Sequence, residues 1–132
     1  MPHLSFEYSR GLETHFDPDA FAATCRDALL ATGKCPLGGI RVRGFRADAQ
    51  AIADGRPGLG FLDMVLRLGA GRSPAVRRAI GDGLYRAAEG FLRPVLGDMP
   101  FILSLEIREI DPEMSWKNWS TIHDALKEEP AP

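Results

Sequence analysis

A strand-helix-strand pattern that occurs twice is the feature of this sequence that most limits its fold. Residues 3–8 alternate apolar and polar side chains, which predicts a half-buried strand, and residues 40–45 predict a second one. Between them, residues 17–32 carry apolar side chains at helical spacing, and Asp17-Pro18 is a typical helix start. The first part of the chain therefore predicts a β-α-β unit.

The same order of elements returns in the second half of the chain. Residues 60–68 and 101–110 predict two further strands, and Ser73-Pro74 repeats the helix start of the first unit. We expect Pro94 to terminate or kink the second helix. Glycines within that helix weaken it, so its stability must come from packing.

Two β-α-β units predict an α+β fold in which a four-stranded mixed sheet carries both helices on one face. Each crossover is expected to be right-handed and to join parallel strands. We expect one domain over residues 1–126, made of repeats at about 1–58 and 59–126, with a disordered tail at 127–132.

The sheet face away from the helices predicts self-association. It is expected to carry charged side chains of all four strands together with Phe45, Phe61 and Val65. Apolar side chains on a bare sheet face are typical of a surface that another subunit covers, which predicts a homo-oligomer.

Composition excludes several classes of protein. The 132-residue chain has a net charge of −2, which argues against a general nucleic-acid binder. Neither a signal peptide nor a membrane-spanning run is recognisable, so we expect a cytoplasmic protein without a membrane partner. Cys25 and Cys35 lack the spacing of a disulfide framework or a zinc site, and we expect both to be reduced and buried, with no metal bound.

The predicted topology brings three chemically useful residues to one edge of the sheet. Pro2 begins the first strand, Arg41 lies near the start of the second, and Arg72 follows the third. They meet if the second unit runs antiparallel to the first. Removal of Met1 would leave Pro2 as a secondary amine, which nearby cations would keep neutral and therefore basic. Arginines bind carboxylates, so the set predicts a small anionic keto or enol acid as substrate.

Four segments together form a specific pattern: residues 1–9, 31–41, 53–55 and 68–73. This pattern resembles one enzyme family, the 5-carboxymethyl-2-hydroxymuconate isomerases. They belong to the tautomerase superfamily, which also contains 4-oxalocrotonate tautomerase and macrophage migration inhibitory factor. The resemblance implies a homotrimer that needs no metal or organic cofactor. It also implies ketonisation of a 2-hydroxymuconate-type dienol acid in the breakdown of homoprotocatechuate.

The family's functional residues match this chain at three positions. Pro2 matches the proline that acts as general base, and Arg41 and Arg72 match the two substrate-binding arginines. Trp116 is a candidate aromatic residue of the pocket, although the tail matches less firmly. Two alternatives remain: a different superfamily activity, such as a 4-oxalocrotonate- or phenylpyruvate-type enol tautomerase, or a binding trimer without catalysis.

Overall fold

The computed structural model describes residues 1–128 and has the predicted mixed four-stranded sheet. Both large helices pack on one face of the sheet, whose strand order is β2-β1-β3-β4. The elements in chain order are β1 His3–Tyr8, α1 Pro18–Ala31, β2 Arg41–Arg46, β3 Gly60–Gly69, α2 Pro74–Leu96, β4 Phe101–Ile110 and α3 Ile122–Glu128.

Strand pairing confirms the predicted architecture. β1 pairs in parallel with β2, and β3 pairs in parallel with β4, as two β-α-β crossovers require. β1 and β3 are antiparallel, so they join the two units at the centre of the sheet. The antiparallel arrangement that the site prediction assumed is therefore present, whereas the repeat boundary near residue 58 stays a prediction.

Polar side chains at the two predicted starts fix the helix N-termini. The Asp17 carboxylate accepts a hydrogen bond from the Asp19 amide at 3.0 Å, and the Ser73 hydroxyl accepts one from the Val76 amide at 3.2 Å. Proline occupies the first position of both helices, where its missing N–H has no partner to lose. The sequence signals for both starts are confirmed.

The core lies between the helices and the sheet and contains an aromatic cluster. Phe6 of β1 meets Phe21 of α1 edge to face, with the ring centroids 5.0 Å apart, and Phe91 of α2 meets Phe21 at 5.4 Å. Cys25 and Cys35 are free and buried, as predicted, and burial raises the pKa of the Cys25 thiol to about 12. These contacts hold α1 and α2 against the same strands.

The end of α2 differs from the prediction. The helix runs two residues beyond Pro94, to Leu96. Pro94 has no N–H to donate to the carbonyl of Gly90, four residues earlier, so the helix loses one backbone hydrogen bond. Gly90 is exposed, so water can take the place of that donor. Leu92 and Leu96 are buried on either side of Pro94 and anchor the last turn to the core.

The C-terminal segment also differs from the prediction. Lys127 and Glu128 belong to α3, so the expected disorder is wrong for these two residues, and residues 129–132 lie outside the described part. An ion pair between Lys127 and Asp124 spans one turn of α3, with 3.8 Å between Nζ and Oδ1. α3 packs against the turn Leu37–Gly39, where His123 lies directly over Gly38. Tertiary contact therefore stabilises a helix too short to form alone.

Alanine substitutions at two glycines are expected to change the stability of the protein in opposite directions. A methyl group at Gly44 of β2 would collide with the Phe6 ring, whereas one at Gly83 of α2 would meet no atom within 4 Å. We expect Gly44→Ala to lower the free energy of unfolding by about 1–3 kcal/mol through overpacking. We expect Gly83→Ala to raise the free energy of unfolding by about 0.5–1 kcal/mol, because alanine has fewer conformations than glycine in the unfolded chain. Urea titration measures both, and a stabilising Gly44→Ala would contradict the described contact.

Candidate active site

The N-terminus of the chain opens into a cavity at one edge of the sheet. The cavity has a volume of about 330 Å³ and lies where β1 begins and β3 ends. Its walls come from the chain start, from β2 and β3 and from the segment that follows β4, and are formed by Met1, His3, Arg41, Arg67, Gly69, Ala70, Ile110, Pro112, Ser115, Trp116 and Lys117. Among the described residues, this wall is rich in cationic side chains and has no carboxylate.

Met1 and Pro2 occupy the inner part of this edge. Pro2 is buried, and its carbonyl accepts a hydrogen bond from the Arg41 amide at 3.2 Å, which extends the β1–β2 ladder to the chain start. A methyl group at Gly69 would lie 3.5 Å from the Met1 nitrogen, so the amine sits directly beside the end of β3. The sheet register thus holds the N-terminus in a fixed place.

The amine of Met1 is in an environment that favours its neutral form. Burial is the largest cause that lowers its pKa, followed by the positive charges of Lys117, Arg72 and Arg41. Cys35 acts in the opposite direction. Burial and nearby cations both disfavour a protonated amine, so this end of the chain is predisposed to act as a base.

Arg72 lies behind the cavity and is held by backbone carbonyls. Its Nη1 donates to the Gly69 carbonyl at 3.1 Å, and its Nη2 donates to the Lys34 carbonyl at 3.0 Å. These two bonds connect the loop after β3 to the turn after α1. The guanidinium is therefore preorganised within electrostatic range of the amine, just before the N-terminus of α2.

Arg41 lines the cavity and contacts His3. The register pairs the two residues across β1 and β2, and Arg41 Nη2 lies 2.5 Å from His3 Nε2. Burial, followed by the charges of Arg41, Arg67 and Arg43, lowers the pKa of His3 to about 4. A neutral imidazole can accept from the guanidinium, so at neutral pH His3 orients Arg41 without adding charge.

The structure brings all three predicted residues to this edge. Pro2 and Arg41 are joined by a backbone hydrogen bond, and Arg72 reaches the same place from the other side of β1. Trp116, the candidate aromatic residue, also lines the cavity, with 84% of its surface exposed.

Two further residues of the cavity wall, Lys117 and Arg67, were not predicted from the sequence. Arg67 could have been found, because it lies opposite His3 in the antiparallel register. Lys117 belongs to an irregular segment with neither strand nor helix periodicity, so no pattern placed it beside the N-terminus.

A larger cavity elsewhere has different chemistry. A groove of about 600 Å³ lies between α1 and α2, and alanine and aliphatic side chains form most of its lining. Within residues 1–128, Lys34 is the one charged residue in its wall. That wall contains no carboxylate, imidazole or N-terminal amine of the described residues, so acid-base chemistry points to the smaller cavity.

The described residues 1–128 contain no group of three His, Cys, Asp or Glu side chains that could hold a metal ion. In the same part of the chain, no helix combines the length and the apolar character needed to cross a membrane.

Comparison with known proteins identifies close similarity along nearly the whole chain. Residues 2–126 match the family model described as 5-carboxymethyl-2-hydroxymuconate isomerase. The 5-carboxymethyl-2-hydroxymuconate Delta-isomerase of Escherichia coli is 32% identical over 127 residues, which cover 96% of this chain and 100% of that protein.

Solved structures give the same result. A 5-carboxymethyl-2-hydroxymuconate delta-isomerase superposes with a TM-score of 0.86 at 33% identity, covering 100% of this chain and 96% of the other. The isomerase from Deinococcus radiodurans R1 gives 0.83 at 31% identity, covering 94% and 93%.

A more distant structure, described as a fused 4-OT symmetric trimer, shares the fold. Its TM-score is 0.60 at 21% identity, and the match covers 93% of this chain and 98% of that chain. The family match and the close relatives go further than the fold: this chain is an isomerase and belongs to the 5-carboxymethyl-2-hydroxymuconate isomerase family.

Proposed function

We propose that this protein, once Met1 is removed, ketonises 5-carboxymethyl-2-hydroxymuconate with the secondary amine of Pro2 as general base. The observation that carries the proposal is the half-buried N-terminal amine. Its pKa is lowered by burial and by the charges of Lys117, Arg72 and Arg41. The Pro2 nitrogen is three covalent bonds from the Met1 nitrogen. As the new chain end, it would therefore meet nearly the same surroundings.

The reaction moves one proton and balances without a cofactor. The neutral Pro2 amine takes the proton of the 2-hydroxyl group, and the electron pair forms the C2 carbonyl. The C2–C3 π pair moves to form the C3–C4 double bond, and the C4–C5 double bond opens as its π pair takes a proton at C5 from the Pro2 ammonium. The product is a 2-oxo acid, and the amine is neutral again for the next turnover.

The arginines have two tasks in this scheme. Negative charge develops on the 2-oxygen and the adjacent carboxylate as the hydroxyl proton leaves, and a fixed guanidinium stabilises it. Arg72 is fixed by its two carbonyl bonds, and Arg41 is fixed by His3 and the strand ladder. A phenylpyruvate-type substrate has a single carboxylate, which would leave most of the cationic wall without a partner.

We further propose that the molecule is a homotrimer that covers the open face of the sheet. Phe45 at one edge strand is 51% exposed, and Ile102 at the other is 65% exposed. Charged side chains alternate with them on the same face, which suits a specific interface. The trimer described for the fused 4-OT relative is in keeping with this arrangement.

The role of the Pro2 amine predicts that an N-terminal extension of several residues blocks the reaction. The Pro2 nitrogen is then an amide with no basic electron pair, and the amine of the extension lies away from the edge of the sheet, so such a preparation should ketonise the dienol about 100- to 10,000-fold more slowly than the processed protein. Intact-mass spectrometry defines the N-terminus of each preparation, and loss of the dienol absorbance gives the rate. Equal rates for the two preparations would rule out the free-amine mechanism.

Arg72 is expected to matter more for the chemical step than a surface arginine does. Arg72→Ala removes a preorganised cation next to the reacting oxygen and should lower kcat/KM by about 100-fold or more. Arg93→Ala is the matched control, because Arg93 is exposed on α2 and pairs with Glu89, one turn away. Similar activities for the two variants would contradict the role given to Arg72.

The lowered pKa of His3 predicts that this residue makes a pH-dependent contribution to stability. Its pKa is about 4 in the folded protein and about 6.5 in the unfolded chain, so the unfolded state binds more protons between these values. The free energy of unfolding should therefore decrease as the pH falls from about 6.5 to 4. His3→Gln should weaken this decrease in urea titrations across that range. An unchanged pH dependence in the variant would show that the imidazole is freely protonated in the folded state.

A further inference from the structure

We propose that Lys117 binds the third carboxylate of the substrate and makes the enzyme prefer a tricarboxylate dienol over a dicarboxylate one. The inference deepens the proposed function and rests on it. It gives a role to Lys117 in the segment after β4, residues 111–121, where the sequence offered Trp116 as a candidate pocket residue.

The need for a third cation follows from the substrate's formula. A muconate has two carboxylates, and the 5-carboxymethyl group adds another. Arg41 and Arg72 supply two guanidinium groups, one on each side of the N-terminus. Burying a carboxylate without a partner is costly, so a site that accepts the trianion requires a further positive group.

Lys117 is placed to be that group. It lines the same cavity as Met1 and Arg41. Its charge is the largest of the cationic influences that lower the pKa of the Met1 amine, ahead of Arg72. Among the described residues no carboxylate forms an ion pair with Lys117, so its ammonium is available to a ligand.

Arg67 is the alternative cation in this wall, and its surroundings differ. It lies opposite His3 in the β1–β3 register, and its charge acts on the pKa of His3. The amine responds to Lys117, Arg72 and Arg41, and Arg67 is not among the charges that shift it. Lys117 is therefore the better candidate for a carboxylate that reaches the reacting end of the cavity.

The position of Lys117 depends on contacts at both ends of its segment. On the β4 side, Asp111 caps the turn Pro112–Met114 by accepting from the Glu113 amide at 2.9 Å. On the other side, α3 is seated on the turn Leu37–Gly39 through His123. A lysine on a segment held at both ends can act as a defined binding group.

The experiment compares two dienols that differ only in the carboxymethyl group, 5-carboxymethyl-2-hydroxymuconate and 2-hydroxymuconate. Lys117→Met keeps the length of the side chain and removes its charge. Both proteins are assayed at a pH above the pKa of their Pro2 amines, so that the effect of Lys117 on the protonation of the base does not enter the comparison. We then expect kcat/KM to fall about 10- to 100-fold for the tricarboxylate, mainly through KM, and less than about 3-fold for the dicarboxylate. Lys117→Arg should retain most of the preference.

Lys127→Met is the matched control, because Lys127 carries the same charge on the same C-terminal segment but pairs with Asp124 away from the cavity. It should change neither reaction. Equal losses on both dienols with Lys117→Met, or a selective loss with Arg67→Met in its place, would overturn the assignment.

A binding measurement separates this proposal from the proposed function. Saturated analogues, 2-(carboxymethyl)hexanedioate and hexanedioate, cannot be ketonised, so calorimetry with them reports recognition alone. The wild-type protein should bind the tricarboxylate about 10-fold or more tightly than the dicarboxylate, and Lys117→Met should remove that difference. An unchanged difference in the variant would refute the role of Lys117 even if catalysis failed. A dienol left unchanged by the wild-type protein would refute only the proposed function.

Discussion

The antiparallel pairing of β1 with β3 is the constraint on which the site depends. It places the first residue of β1, His3, opposite Arg67 near the end of β3, and so brings the start of the chain beside the loop that carries Arg72. Parallel pairing with β2 then sets Arg41 next to His3. Backbone hydrogen bonds position these groups, so the geometry of the site is as stable as the sheet itself.

The charge at this edge of the sheet is opposite in sign to the net charge of the molecule. The chain is acidic, with a net charge of −2, yet the described residues around the cavity at the N-terminus include Arg41, Arg67 and Lys117 and no carboxylate. Burial strengthens the effect of Lys117 and Arg41 on the amine. In the proposed function, cations that lower the pKa of the amine also attract the polyanionic substrate, so one set of charges serves both recognition and the base.

The sequence was most informative where local chemistry decides the structure. Asp17 and Ser73 could be recognised as helix starts because capping depends on residues close in sequence. The convergence of Pro2, Arg41 and Arg72 followed from strand order once the two units were taken as antiparallel. The roles of these residues stay predictions, since the geometry shows proximity and not chemistry.

Long-range contacts were beyond the reach of sequence patterns. α3 depends on the seating of His123 over Gly38, two residues that lie 85 positions apart and share no periodic pattern. Lys117 lines the cavity from an irregular segment that lies between that contact and the turn capped by Asp111. The continuation of α2 past Pro94 likewise depends on the burial of Leu92 and Leu96 in the assembled core.

We propose that this edge of the sheet makes the N-terminus a base at neutral pH. A nitrogen-15 NMR titration of the Pro2 amine in the processed protein tests this directly. We expect a pKa below the ordinary α-amino range of about 7.7–8.0, and a rise when Lys117 is replaced by methionine. A pKa within or above that range, unaffected by the loss of Lys117, would contradict it.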